Sequence, residues 1–305
     1  MNKIAITTGD PNGIGAEITI KALNDLCVSP DDVLIISNKK ILDFYGRLDK
    51  EYEVIEIPFE GKIEPGKVCA ECGEFSFQAL KKACEIKPKA IVTAPTAKNA
   101  MHMAGHFYNG QTEVLEHYLS HGNQHAEMLF VAGDFRVLLL TRHCALKDVV
   151  LTKEIIIKKA RDLKEFFENG LKIKNPKFAL CGLNPHAGED GILGTEERDI
   201  MCPAVKELLQ DGVYITNPLP SDTLFVKAAQ AYFSNQKPPY DCYIAAYHDQ
   251  GLIPIKTVAG DKTVNMTIGL DIIRTSPGHG TAFDIAGKNI ANPGGMISAI
   301  KAVIS

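Results

Sequence analysis

Along the first part of the chain, short β-branched and apolar runs alternate with segments whose apolar positions recur at helical spacing. "KIAITTGD" precedes "GAEITIKALNDL", "DDVLIIS" precedes "KKILDFYGRL", and "AIVTAPT" precedes "QTEVLEHYLSH". Runs apolar at every position belong to strands covered on both faces, so the alternation predicts an α/β fold with largely parallel sheets. Between Glu127 and Leu140 the pattern changes. There "EMLFVAGDFRVLLL" sets two strand-like runs around Ala132–Gly133–Asp134, which predicts an antiparallel hairpin and therefore a mixed sheet.

Further on, the spacing predicts a helix from about Thr152 to Glu168, a strand in "KFALCGLNP", a helix from Thr195 to Gln210 and a strand in "DCYIAAYHDQG". "GTAFDIAG" and "GGMISAIKAVIS" read as C-terminal helices. The expected architecture is two-lobed α/β/α. Residues 1–120 with 278–305 form the first lobe, carrying both termini, and residues 121–277 form the second.

Composition narrows the class of protein. At 305 residues and 45% hydrophobic content the chain buries an ample core. A formal charge of −4, with Lys and Arg scattered among acids, argues against a nucleic-acid partner. No apolar run reaches the roughly 18 residues that span a bilayer, so no membrane partner is expected. The eight cysteines lie mostly in apolar runs, and no cationic-then-apolar leader is seen, which predicts reduced thiols in a cytoplasmic protein. "CAEC" has CxxC spacing but no second pair, and reads as structural.

Three histidines follow strand-like runs where the chain turns outward: His143 after "RVLLLTR", His186 after "FALCGLNP" and His248 after "CYIAAY". The carboxyl ends of strands in such sheets form the ligand crevice, and neutral imidazoles suit divalent metals. Singly, each also fits a hydrogen-bonded structural role; their equivalent positions argue for a joint one. His102, His106, His117, His121 and His125 crowd one stretch without an HExxH signature and read as surface or packing residues. Lys256, Asn265 and Arg274 follow His248 and suit an anion, although each cation alone also fits a solvated surface. "ITTGDPNGIGAEI" carries glycines from a strand into a helix but matches neither GxGxxG nor GxxxxGK[ST].

Taken in order, "TTGDPNGIGAE", "NGQTE", "LNPHAGEDG", "YHDQGLIPIK", "VNMTIGL" and "IRTSPGHGTAFDIAG" resemble the 4-hydroxythreonine-4-phosphate dehydrogenases of pyridoxal phosphate biosynthesis over nearly the whole chain. The tail "GHGTAFDIAGKNIANPGGMISA" is also similar to the nicotinamide-binding segment of isocitrate and isopropylmalate dehydrogenases, which implies their fold. The resemblance implies one divalent metal, zinc, cobalt or magnesium, held by His143, His186 and His248. It implies substrate contacts from Gln111, Thr112, Lys256, Asn265 and Arg274, with Lys256 and Asp249 as catalytic candidates. NAD or NADP is expected along His279, Gly280, Thr281, Ala282 and Asn292. A homodimer with an active site shared between subunits is also implied.

The implied reaction oxidises C3 of 4-phosphohydroxy-L-threonine, a small phosphorylated amino acid, to 2-amino-3-oxo-4-phosphooxybutanoate, which loses carbon dioxide to give 3-amino-2-oxopropyl phosphate. A dehydrogenase of a related four-carbon sugar-acid phosphate, of the threonate 4-phosphate type, shares the histidines. A metal-dependent phosphate-ester hydrolase or a phosphate-binding protein would use the same residue types. The chain departs from the resemblance at Gln111, where family members commonly read GHTE, and at Asn12 and Ala16, where they read GDPAGIGPE.

Overall fold

A computed structural model of the chain describes residues 2–122 and 124–304. The chain divides into two compact units, Met1–Ala126 with Val264–Ser305, and Glu127–Thr263. The first opens with β1 (Ile4–Thr7), α1 (Gly15–Leu26), β2 (Val33–Ser37), α2 (Lys39–Tyr45), β3 (Glu53–Glu56), α3 (Ala70–Glu85), β4 (Ala90–Thr93), α4 (Lys98–Met103) and α5 (Gln111–Leu119). The second holds β5 (Glu127–Ala132), β6 (Phe135–Leu139), α6 (Lys153–Glu165), β7 (Lys177–Leu180), α7 (Cys202–Gln210), β8 (Tyr214–Ile215), α8 (Ser221–Phe233), β9 (Cys242–Ala245) and α9 (His248–Ala259). The chain then returns to the first unit with β10 (Val264–Ile268), β11 (Arg274–Pro277) and α10 (Gly294–Lys301).

In the first unit the strands run in the order β3-β2-β1-β4-β11-β10. All neighbours are parallel except β10 and β11. Every residue of β1, β2 and β4 is buried, as expected of their apolar runs, each of which ends in a hydroxyl residue. Ala5, Ile36 and Ile91 pack with Phe75, Ala79 and Ala83 of α3 and with Leu115 of α5 in one core. The second unit has the order β5-β6-β9-β7-β8, with an antiparallel β5–β6 hairpin and parallel pairing elsewhere. Gly133, at φ +60°, takes the left-handed position of the hairpin turn, which glycine occupies without a Cβ clash. The α/β class and the mixed, largely parallel sheets are as the hydrophobic pattern predicts.

Two expectations are corrected. Residues 264–277, expected in the second lobe, belong to the first unit, because β11 pairs in parallel with β4 and β10 pairs with β11. "GTAFDIAG" is not a helix: residues 283–289 form turns, with Ala282 at φ +43° and Gly287 at φ +74°, and only the following "GGMISAIK" is helical. Left-handed backbone at those positions cannot propagate a right-handed helix. The CxxC pair lies at the start of α3, Cys69 as its N-cap and Cys72 inside it. Burial drives the Cys72 thiol far above its ordinary value, so it stays protonated and inert. All eight cysteines are free.

Helix α9 lies against β6 and β9 through Gly251. A Cβ there would come within 2.8 Å of side-chain carbons of Leu139 and Val137 and 3.0 Å of the Ala245 Cβ. Gly251→Ala is therefore expected to destabilise the protein by about 2 kcal/mol or more through overpacking, despite alanine's better helix propensity. Chemical denaturation of the two proteins checks this; equal or raised stability would show that the helix shifts freely.

Candidate active site

Strand β9 lies between β6 and β7 and runs parallel to both. Parallel pairing puts all three carboxyl ends at one edge of the sheet, and the chain leaves these ends toward His143, His248 and His186 respectively. The rings of His143 and His248 have centroids 5.5 Å apart. Both line a pocket of about 380 Å³ together with Arg142, Tyr247 and Asp249. His248 Nδ1 shares a 2.7 Å hydrogen bond with Asp249 Oδ1. An ionised carboxylate only accepts, so the Nδ1 position carries the proton and Nε2 keeps a lone pair for a metal.

His186 is not among the residues lining that pocket. It begins a run of five residues, His186 to Asp190, all with φ between +44° and +84°. A left-handed turn of this length, with one glycine in it, costs about 1–2 kcal/mol at each non-glycine residue. The carboxylate of Glu197, 5% exposed, anchors its entry by accepting from Asn184 N (2.8 Å) and Asn184 Nδ2 (2.9 Å). Among the described residues, no group of three or more His, Cys, Asp or Glu side chains is gathered to hold a metal ion. The two adjacent imidazoles fit the donor chemistry of a divalent metal. Lys256 is exposed and lies eight residues after His248 on α9, about 12 Å along a helix axis.

The other candidate residues belong to the first unit. Arg274 is buried to 4% exposure. Its Nε and Nη2 donate to Thr93 Oγ1 at 2.8 and 2.7 Å, and Nη2 also donates to Gln111 Oε1 at 3.0 Å. Among the described residues no carboxylate forms an ion pair with it, and Nη1 has no hydrogen-bond partner. Burial pushes its pKa down to about 10, with the charge of Glu113 opposing the shift, so it is a cation at neutral pH. Gln111 is the first residue of α5, where backbone N–H groups lack intrahelical partners, and buried Thr112 follows it. Asn265 stands on the same face of the β10–β11 pair as Arg274, and its Oδ1 is buried without a partner among the described residues.

The glycine loop after β1 meets the segment that follows β11. Ile14 N donates to Thr281 O (3.1 Å), and a Cβ on Gly13 would stand 3.2 Å from Thr281 Cβ. His279 Nδ1 is 3.1 Å from Gly280 O, and Asn292 Oδ1 accepts from Gly294 N at 2.8 Å. Asn12 replaces the alanine of the resemblance and uses its whole side chain: Nδ2 donates to Lys67 O (2.7 Å) and Oδ1 accepts from Glu64 N (2.8 Å). In the same loop Asp10 is fully buried; Oδ1 accepts from Asn12 N (2.9 Å) and Oδ2 has no partner among the described residues.

A family profile described as pyridoxal phosphate biosynthetic protein PdxA matches residues 7–303. The chain belongs to that family. It is 40% identical to a protein of Sulfurihydrogenibium sp. (strain YO3AOP1) named 4-hydroxythreonine-4-phosphate dehydrogenase, over 100% of this chain and 98% of the relative. The crystal structure of 4-hydroxythreonine-4-phosphate dehydrogenase from Klebsiella pneumoniae superposes with a TM-score of 0.87 at 33% identity, covering 99% of this chain and 97% of that one. Isocitrate dehydrogenase from Methylococcus capsulatus, 15% identical, shares the fold with a TM-score of 0.51, over 100% of this chain and 85% of that one.

Three residues with structural claims on the site have no signature in sequence. Thr93 is an ordinary strand residue until β11 pairs beside it. Glu197 lies in what reads as a plain amphipathic helix. Gln250 joins three elements: Oε1 accepts from Ala246 N (2.6 Å), while Nε2 donates to Gly182 O (2.6 Å) and Ser221 Oγ (2.8 Å). The amide thus ties the ends of β9 and β7 to the start of α8, two residues after His248.

Burial raises the Asp10 carboxyl from 3.8 to about 6, against the lowering effect of hydrogen bonds from the Asn12 and Ala97 backbone. Between those two values the folded state holds a proton that the unfolded state has released. Stability should therefore fall as pH rises from about 4 to about 6, by about 3 kcal/mol from this group, and change no further above that window. Asp10→Asn is expected to remove this component, so the stability difference between variant and parent should track pH across the window. A difference independent of pH in urea titrations would show an ordinary carboxyl.

Proposed function

We propose that the protein oxidises 4-phosphohydroxy-L-threonine at C3 to 2-amino-3-oxo-4-phosphooxybutanoate, using NAD or NADP, in pyridoxal 5'-phosphate biosynthesis. The product then loses carbon dioxide, its bonding electron pair being taken up by the neighbouring C3 carbonyl, to give 3-amino-2-oxopropyl phosphate. The observation that carries this reading is Arg274. A buried guanidinium without a carboxylate partner is costly, and an anionic ligand removes that cost. Its hydrogen bond to Gln111 sets it beside the start of α5, where free N–H groups and the Thr112 hydroxyl also suit a phosphate or carboxylate. The names of relatives aligned over the full length support the same substrate.

Under this reading Arg274 and Thr112 bind an anionic group of the substrate, and the spare Oδ1 of Asn265 accepts from one of its N–H or O–H groups. Lys256 contacts the substrate, and Asp249 holds the proton at Nδ1 of His248. His143, His186 and His248 would hold one divalent ion, zinc, cobalt or magnesium, which when bound lowers the pKa of the substrate alcohol. The turns from His279 to Asn292, against the glycine loop, would hold the nicotinamide cofactor, which when bound supplies the acceptor for hydride from C3, the alcohol proton being released to solvent. The active unit is a homodimer in which both subunits contribute to each site. Among the described residues no helix is long and apolar enough to cross a membrane, and a cytoplasmic location fits the eight free thiols.

The test is an assay of metal-replete protein with 4-phosphohydroxy-L-threonine and each cofactor in turn, read by nicotinamide absorbance. Reduced cofactor is expected with this substrate; turnover of threonate 4-phosphate alone, or release of phosphate without reduction, would displace the proposal. His248→Ala is expected to abolish turnover and to lose bound zinc in equilibrium dialysis while keeping the parent's circular dichroism. Arg274→Ala should lower kcat/KM by about 10–100-fold, the loss of a charged hydrogen bond, with Arg274→Lys recovering only part. Mixed subunits of inactive His186→Ala and His248→Ala proteins should regain activity after verified exchange if these two ligands come from different chains; no recovery would place His186 and His248 in the same chain.

A further inference from the structure

Both ends of the Gln111 amide are engaged inside the protein. Nε2 donates to Ala94 O at 3.0 Å, and Oε1 accepts from Arg274 Nη2 at 3.0 Å. Only one orientation of the amide satisfies both contacts, since the carbonyl of Ala94 must meet a donor and the guanidinium an acceptor. Thr93 Oγ1 holds the other side of the same guanidinium through Nε and Nη2. Thr93 closes β4, and the parallel pairing of Arg274 with Ile91 puts Arg274 and Thr93 on one face of the sheet. Three of the five guanidinium N–H donors are thereby directed at protein acceptors, and the two on Nη1 are left for a ligand.

We infer that Gln111 acts on the substrate only through Arg274: with Thr93 it is a clamp that fixes the guanidinium plane, and it makes no contact with the substrate anion itself. The inference rests on the reading of Arg274 as the anion-binding residue. It reassigns Gln111, expected from resemblance to touch the substrate, as a positioning residue. A guanidinium whose plane is set before the ligand arrives presents its Nη1 hydrogens in a fixed direction, without the cost of ordering the side chain on binding. Glutamine supplies an acceptor to Arg274 and a donor to Ala94 at once, without a protonation state that could place a positive charge against the guanidinium.

A double-mutant cycle separates the two roles. Gln111→Met keeps the side chain's length and removes both hydrogen bonds; it should raise KM by about 3–10-fold with kcat little changed, as expected for lost positioning of a binding group. In the Arg274→Ala background the same substitution should have no further effect on kcat/KM, whereas an independent contact would multiply the losses. Thr93→Val should behave in the same way, which keeps the test open should either single variant fold poorly. Gln111→Glu should bind worse than Gln111→Met, because a carboxylate against Arg274 neutralises the charge intended for the substrate. Multiplicative losses in the double variant, with Arg274→Ala itself impaired, would overturn the clamp and leave the anion reading standing. An Arg274→Ala protein as active as the parent would overturn both.

Discussion

Parallel strand pairing is the constraint from which the candidate chemistry follows. A strand that runs parallel to its neighbour must deliver its outgoing loop at the same edge of the sheet, whatever the residues in that loop. In the second unit this rule gathers the loops after β6, β9 and β7, each carrying one histidine at the turn. In the first it gathers the glycine loop after β1, the segment after β4 and the chain leaving β11, and it seats Thr93 beside Arg274. The antiparallel partners β10 and β5 each flank one of these parallel groups, next to β11 and β6 respectively. Function and topology are linked here through direction of travel along the strands.

Much of this was legible in the sequence because periodicity reports burial. Runs such as "VLII" and "AIV" are apolar at every position and lie buried on both faces, and the hairpin at Gly133 reads from its turn chemistry. The positions of His143 and His248 also read correctly, since a polar residue after an unbroken apolar run marks where a strand ends. What periodicity does not encode is pairing between distant strands. Residues 264–277 join the first unit through hydrogen bonds to a strand about 180 residues earlier, and nothing local announces it. "GTAFDIAG" has a plausible apolar spacing, but left-handed backbone at Ala282 and Gly287 overrides it.

The buried polar residues were the least legible for a related reason. Gln111, Thr93, Gln250 and Glu197 each act by meeting a group that only the tertiary fold brings near. Resemblance placed Gln111 at the substrate, while the geometry shows both ends of its amide already engaged. Asn12 is similar: as a departure from a family motif it seems inconsequential, yet it stitches the glycine loop to residues 64 and 67. Low-dielectric surroundings make each such satisfied contact count for more than it would at the surface.

The left-handed turn from His186 to Asp190 reverses the usual ranking of substitutions. Glycine normally weakens ordered structure because it has the most conformational freedom to lose, but here the native backbone penalises every Cβ in the run. At Ala187, Glu189 and Asp190 the backbone alone would favour glycine over the residue present. Glycine at any of these three positions would therefore relax the turn, the opposite of its effect inside a helix or strand.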